Sequence, residues 1–128
     1  KKAAVPVAEQ FSASEIDLSS KGLTDHDATV VAEILKSNTS VTRVLLGNNK
    51  RIGDEGVKAL AEALKVNATV KELVLSHCRI GDDGAAALAE ALRSNTSLKY
   101  LQVDGIGNKR KKVLRDALAG PRSAGIQN

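Results

Sequence analysis

The sequence predicts an α/β solenoid of about four strand–helix units, and three observations carry that prediction. First, Ile52-Gly-Asp-Glu-Gly-Val-Lys-Ala-Leu-Ala-Glu-Ala-Leu64 recurs 28 residues later as Ile80-Gly-Asp-Asp-Gly-Ala-Ala-Ala-Leu-Ala-Glu-Ala-Leu92. A fixed period of this size is the mark of a stacked repeat array. Second, each period joins a short alternating apolar stretch to a longer segment with helical spacing. Third, 42% of the chain is hydrophobic, yet it holds one Phe, one Tyr, no Trp and no Met. A core of Leu, Val, Ile and Ala suits thin, similar layers better than one large centre.

The repeat frame extends in both directions. It reaches back 29 residues to Leu23-Thr-Asp-His-Asp-Ala-Thr-Val-Val-Ala-Glu-Ile-Leu35, and forward 26 to Ile106-Gly-Asn-Lys-Arg-Lys-Lys-Val-Leu-Arg-Asp-Ala-Leu118. The strand segments are Ile16-Asp-Leu18, Val44-Leu-Leu46, Leu73-Val-Leu75 and Leu101-Gln-Val103, each preceded three residues earlier by Ala13, Val41, Val70 or Leu98. Because side chains alternate along a strand, the first and third residue of each trio should point inward and the middle one outward.

In the helical half of the third unit, Ala85, Leu88, Ala89 and Leu92 fall at i, i+3, i+4 and i+7 and form one apolar stripe. Asp25, Asp54 and Asp82 share an aligned position at the helix start, where a carboxylate caps open amides and meets the positive end of the helix dipole. Lys36, Lys65 and Arg93 share a position in the last turn, where a cation suits the dipole. Asn38, Asn67 and Asn95 follow as terminators, a role expected from the tolerance of Asn for the left-handed conformation.

The pattern L-x-x-L-x-L-x-x-(N/C)-x-(L/I) followed by a helix resembles the leucine-rich-repeat family, with Asn49 and Cys78 at its Asn/Cys position. The 28–29-residue unit with a full helix is similar to the ribonuclease-inhibitor-like subclass, which includes the Ran GTPase-activating protein and tropomodulin. The resemblance covers about four fifths of the chain. It implies a right-handed solenoid with parallel strands on the concave face and helices outside. It also implies that Asn49 and Cys78 face inward and hydrogen-bond the loop backbone.

Repeat one departs from the pattern with Lys21 at the Asn/Cys position, and repeat two carries an extra residue around Lys50–Arg51. Repeat four is two residues shorter between Leu98 and Ile106, and its helix carries Arg110, Lys111 and Arg115 in place of small or apolar residues. Polar substitutions in a terminal repeat make a solvated cap. Residues 1–12 are accordingly expected to be an N-terminal cap or flexible lead, with Phe11 a plug over the first layer. Residues 13–119 are the repeat domain and 120–128 a flexible C-terminal tail, Gly120-Pro121 stopping the last helix.

For function, the outward strand positions come first. One column is Glu15, Arg43, Glu72 and Tyr100; the next is Asp17, Leu45, Val74 and Gln102; the third is Ser19, Gly47, Ser76 and Asp104. Leu45 and Val74, read as exposed beside the single tyrosine and bordered by charge, suggest a protein contact patch of Arg43, Leu45, Glu72, Val74, Tyr100 and Gln102, with Tyr100 as anchor. Outward aliphatic residues also favour sheet formation on their own account. Twelve outward positions fall short of the roughly 20–30 residues per side of a standard interface. The adjoining loops at Ser20, Asn48, His77 and Gly105 are therefore expected to contribute, or the chain is part of something larger.

Other features point away from chemistry. The net charge of +4 arises from 19 basic and 15 acidic residues, a mixed surface, with the excess late at Lys109, Arg110, Lys111, Lys112, Arg115 and Arg122. That cluster suits a solvated cap face. Weak contact with phosphates or acidic surfaces is the alternative, and nucleic acid is not the expected partner because no aromatic residues are interleaved. Asn38-Thr-Ser40, Asn67-Ala-Thr69 and Asn95-Thr-Ser97 fit the glycosylation pattern, but each falls where a helix must end. Gly53-Asp-Glu-Gly56 and Gly81-Asp-Asp-Gly84 read as tight turns rather than cation sites. His26 and His77 lack partners at metal or catalytic spacing. No catalytic residue, metal site or cofactor is expected.

The expected function is thus a non-catalytic scaffold or adaptor whose partner is another protein. By family analogy alone, the alternatives are regulation of a GTPase or of the actin cytoskeleton. A lone Cys78 favours a reducing, cytoplasmic setting, and no apolar run reaches the 18 residues of a membrane span.

Overall fold

The computed structural model describes residues 12–122, for Pro121 and Arg122 in backbone only. Four units follow one another as β1 (Glu15–Asp17), α1 (Asp25–Ser37), β2 (Arg43–Leu45), α2 (Asp54–Val66), β3 (Glu72–Val74), α3 (Asp82–Ser94), β4 (Tyr100–Gln102) and α4 (Asn108–Arg122). The strands form one parallel sheet in the order β1-β2-β3-β4. Their register pairs Ile16 with Val44, Val44 with Leu73, and Leu73 with Leu101, which is the alignment of the repeats themselves. Each helix packs on the next, so the molecule is a solenoid with strands on the concave face and helices outside.

Alternation decides what lies between the layers. Ile16, Leu18, Val44, Leu46, Leu73, Leu75 and Val103 are buried, as are the helical residues Ala85, Leu88, Ala89 and Leu92. The strands begin and end one residue earlier than the apolar trios, because backbone pairing starts at the outward residue, while the inward set is as expected. Burying each large aliphatic side chain stabilises the stack by about 1.5–3 kcal/mol. The ends differ from the middle: Val41, Val70 and Leu98 are buried but Ala13 is exposed, and Leu101 on the last strand is only half covered.

Two expectations are corrected. The last helix does not stop at Gly120-Pro121 but runs to Arg122, although a proline there removes an amide donor and crowds the carbonyl four residues back. The three terminating asparagines are not left-handed: Asn38, Asn67 and Asn95 have φ near −80° and ψ near 135°. The positive φ values form another column, Ser20, Asn48, His77 and Gly105, in the loop leaving each strand. The expected N-terminal plug at Phe11 and the tail beyond residue 122 lie outside the described residues.

Candidate functional site

Polar groups that repeat in the sequence are mostly consumed by bonds between units. Asn49 is fully buried. Its Oδ1 accepts the amides of Lys21 and Leu23, each at 3.0 Å, and its Nδ2 donates to the carbonyls of Leu18 and Leu46 at 3.0 and 2.8 Å. One amide side chain therefore closes loop backbone in two repeats. Cys78 occupies the same place one repeat on and bonds more weakly, its Sγ donating to the Leu46 carbonyl at 3.4 Å. Burial pushes the Cys78 thiol up, which keeps it protonated and unreactive at neutral pH.

The aligned aspartates act differently from the expectation of a cap on their own helix. Helix α1 is capped by Thr24, in a reciprocal capping box with Asp27. Asp25 reaches into the next unit, where its Oδ1 accepts the amides of Gly53 at 2.6 Å and Gly56 at 3.0 Å. Asp54 does the same for Gly81 at 2.6 Å. Each carboxylate thus caps the helix of the following repeat, and the glycines leave room for it. A Cβ on Gly56 would lie 2.8 Å from Asp25 Oδ1, and one on Gly84 would lie 2.6 Å from Asp54 Oδ1. In the last unit Arg110 stands where the second and third units have Gly56 and Gly84, and it takes Asp82 as an ion pair at 2.8 Å.

At the other helix end, Asn67 donates to the carbonyls of Leu35 and Asn38 and accepts the amides of Thr69 and Val70, all within 2.8–3.2 Å. Asn95 repeats this with Leu64, Asn67, Ser97 and Leu98. Both are buried with their amide nitrogens engaged, so they are inaccessible as glycosylation acceptors in the folded chain.

What remains outward is the strand face. The register sets Arg43 opposite Glu15 and Glu72, and places Tyr100 beside Glu72. The Arg43 guanidinium bridges both carboxylates, at 2.8 Å to Glu15 and 3.0 Å to Glu72, and hydrogen bonding from the two raises its pKa further. Tyr100 is 67% exposed and ends this row. The second column places Leu45 and Val74 side by side, with Gln102 next to them. Contrary to the expectation of an exposed pair, both aliphatic residues are half-buried, because neighbouring side chains on a parallel sheet shield one another. The third column is largely closed: Gly47 and Ser76 are buried, and Ser76 Oγ accepts the Asp104 amide at 3.0 Å.

Tyr100, Gln102 and Glu72 also line a shallow cleft with Leu101 and Leu118 at the last-strand end, a feature missed by the column analysis because it joins β4 to a helix residue 17 positions onward. Three residues of the late basic cluster are neutralised, through Arg110–Asp82, Lys111–Asp104 at 3.0 Å and Lys112–Asp116 at 2.8 Å. Among the described residues, no group of three His, Cys, Asp or Glu side chains could hold a metal, and no helix is long and apolar enough to cross a membrane.

Comparison with known proteins agrees with this architecture. The family model described as Leucine Rich repeat matches residues 37–61 and 66–89. No curated protein matches the sequence significantly. A solved structure titled Leiomodin-1 Actin-Binding Site 2 is similar with a TM-score of 0.73 and 26% identity, over 81% of this chain; the chain spans 62% of that structure's length. The tropomodulin C-terminal domain of Caenorhabditis elegans shares the fold, with a TM-score of 0.52 and 11% identity over 87% of this chain and 88% of that one. With the repeat motif in register, an inward Asn/Cys position and parallel strands backed by helices, the chain has the fold of a leucine-rich-repeat solenoid.

Proposed function

We propose that this chain is a non-catalytic protein-binding scaffold that engages its partner through the strand face, using Arg43, Leu45, Glu72, Val74, Tyr100 and Gln102. The observation that carries the reading is Tyr100. It is a large amphipathic side chain, two thirds exposed, standing on a rigid sheet at the end of an ion-paired row and beside a shallow cleft. Aromatic anchors fixed on a rigid support are where binding energy concentrates. The Glu15–Arg43–Glu72 row holds its side chains in place before a partner arrives, which lowers the ordering cost of association. The buried aspartate and asparagine ladders, by contrast, are occupied within the fold.

The likeness to an actin-binding site of leiomodin, at 26% identity over 81% of this chain, favours an actin-related partner as the specific form of this reading. The period of the repeats supports the ribonuclease-inhibitor-like subclass. A buried, unreactive lone thiol is compatible with a reducing, cytoplasmic setting. The test is co-sedimentation with purified filamentous actin, and capture of partners from lysate, for wild type beside a Leu45→Glu/Tyr100→Ala variant. Partner sets identical for the two proteins would sink the strand-face reading. Wild type left in the supernatant at every actin concentration would remove actin alone.

A further inference from the structure

We infer a second interaction surface, separate from the strand face: the loop edge of the last three repeats, which fits an acidic protein segment. The structure brings Lys50, His77, Arg79 and Arg110, from three different repeats, around one open depression of about 560 Å³ with Gly105 and Gly107. These residues lie far apart in sequence and meet only because the units stack.

Among the described residues, unpaired cations also stand elsewhere, at Lys21, Lys71, Arg93, Lys99, Lys109 and Arg115, but on this edge they come from neighbouring repeats around one depression with few carboxylates. On the helices, Lys36, Lys58 and Lys65 each pair with the glutamate three residues earlier. On the strand face Arg43 pairs twice. On the loop edge Lys50, Arg51 and Arg79 are all exposed, and among the described residues none makes an ion pair or side-chain hydrogen bond. The loops 47–51, 76–79 and 104–107 hold one carboxylate, Asp104, and Lys111 already engages it at 3.0 Å. Arg110 is held in place by Asp82, so its position is set in advance. His77 is positioned too: it leaves its strand at φ 62°, and its Nδ1 lies 2.7 Å from where a Cβ on Gly105 would be. A glycine at φ 88° is what allows the ring to lie against that loop.

Unneutralised cations on a rigid edge attract carboxylates and speed their encounter. The lining also favours peptide over nucleic acid. Its apolar part is Ile80 and Ile106, whereas bases need aromatic platforms, and the single tyrosine lies on the strand face. The occupant is therefore a Glu- or Asp-rich extended segment crossing the loops, its carboxylates meeting Lys50 and Arg79.

The test is fluorescence anisotropy with a labelled peptide of alternating Glu and Gly. Wild type should bind it, and binding should weaken as NaCl rises from about 50 to about 300 mM. Lys50→Glu/Arg79→Glu should lower affinity by about tenfold or more, while Leu45→Glu/Tyr100→Ala should not, which separates this surface from the strand face. A thermal melt checks folding; if the charge-reversed protein melts early, Lys50→Gln/Arg79→Gln supplies the comparison, with a smaller loss expected. No binding by wild type, or equal affinity for all variants, overturns the proposal. So does tighter binding of a single-stranded oligonucleotide of equal charge, or full competition by inorganic phosphate at equal charge concentration.

Discussion

Replacing Gly56 by alanine sets two familiar effects against each other, and the structure says which wins. Alanine is preferred over glycine in a helix by about 1 kcal/mol, so propensity alone predicts a stabler protein. At this position, however, the new Cβ would fall 2.8 Å from Asp25 Oδ1, 2.9 Å from Ala28 Cβ and 3.2 Å from Ile52 Cγ2. The carboxylate could swing away, but it would then lose the amides of Gly53 and Gly56. Hydrogen bonds to a charged group contribute about 1.5–3 kcal/mol each. The Ala28 Cβ cannot swing, since it is fixed to the backbone of α1, so the two helices must separate, and overpacking of that kind costs about 1–3 kcal/mol. With the two lost bonds and the overpacking taken at the low ends of those ranges, less the propensity gain, Gly56→Ala should destabilise by about 3 kcal/mol or more. That corresponds to about 10 °C or more in melting temperature for a chain of this size. Circular dichroism melts would measure it, with Gly120→Ala as control, where a Cβ meets nothing within 4 Å and the change should be neutral or slightly stabilising. The Asp25→Ala background should reduce the cost of Gly56→Ala, because the clash with the carboxylate is gone. A rise in melting temperature for Gly56→Ala, or strict additivity with Asp25→Ala, would refute the account of the aspartate as a cap for its neighbour.

Further outcomes follow from the same ladders. Asn67→Asp should cost more stability than a surface change, about 3 kcal/mol in urea titration, because it sets a carboxylate against the Leu35 and Asn38 carbonyls. Asn49→Cys should be milder than Asn49→Leu, since a thiol already serves this place at Cys78; equal midpoints for the two would contradict the role given to the side chain. Tyr100→Ala should leave the melting temperature nearly unchanged while abolishing partner capture, given that the ring is two thirds exposed. Lys111 holds the Asp104 carboxyl below the usual carboxylate range, and the Ser19 amide does the same for Asp17. A depressed carboxylate contributes stability above its unfolded pKa and loses it as pH falls through the folded one. Melts from pH 6 to pH 3 should therefore drop more steeply for wild type than for Asp104→Asn, and parallel curves would count against the pairing.

How much of this was legible in the sequence depends on range. Periodicity determined that Ile16, Val44, Leu73 and Leu101 point inward and that Arg43, Leu45, Val74 and Tyr100 do not, because pleat and helical pitch act within a few residues. It also determined the order and number of the units. What a polar side chain does across the interface between units was not legible, since it depends on how one repeat is set against the next. Asp25 reads locally as a cap for its own helix, yet it serves the helix that begins at Asp54. Asn67 reads as a left-handed terminator, yet it is an extended residue that binds the previous helix end. Likewise, only the stacked structure shows that Ser76 and Gly47 are covered, that Arg110, Lys111 and Lys112 are neutralised, and that Lys50 and Arg79 are not. Hydrophobic pattern specifies a face, and a face is a local property. Partner choice among polar groups is made at hydrogen-bond distances, which exist only once the parallel register has brought residues about 28 positions apart into contact.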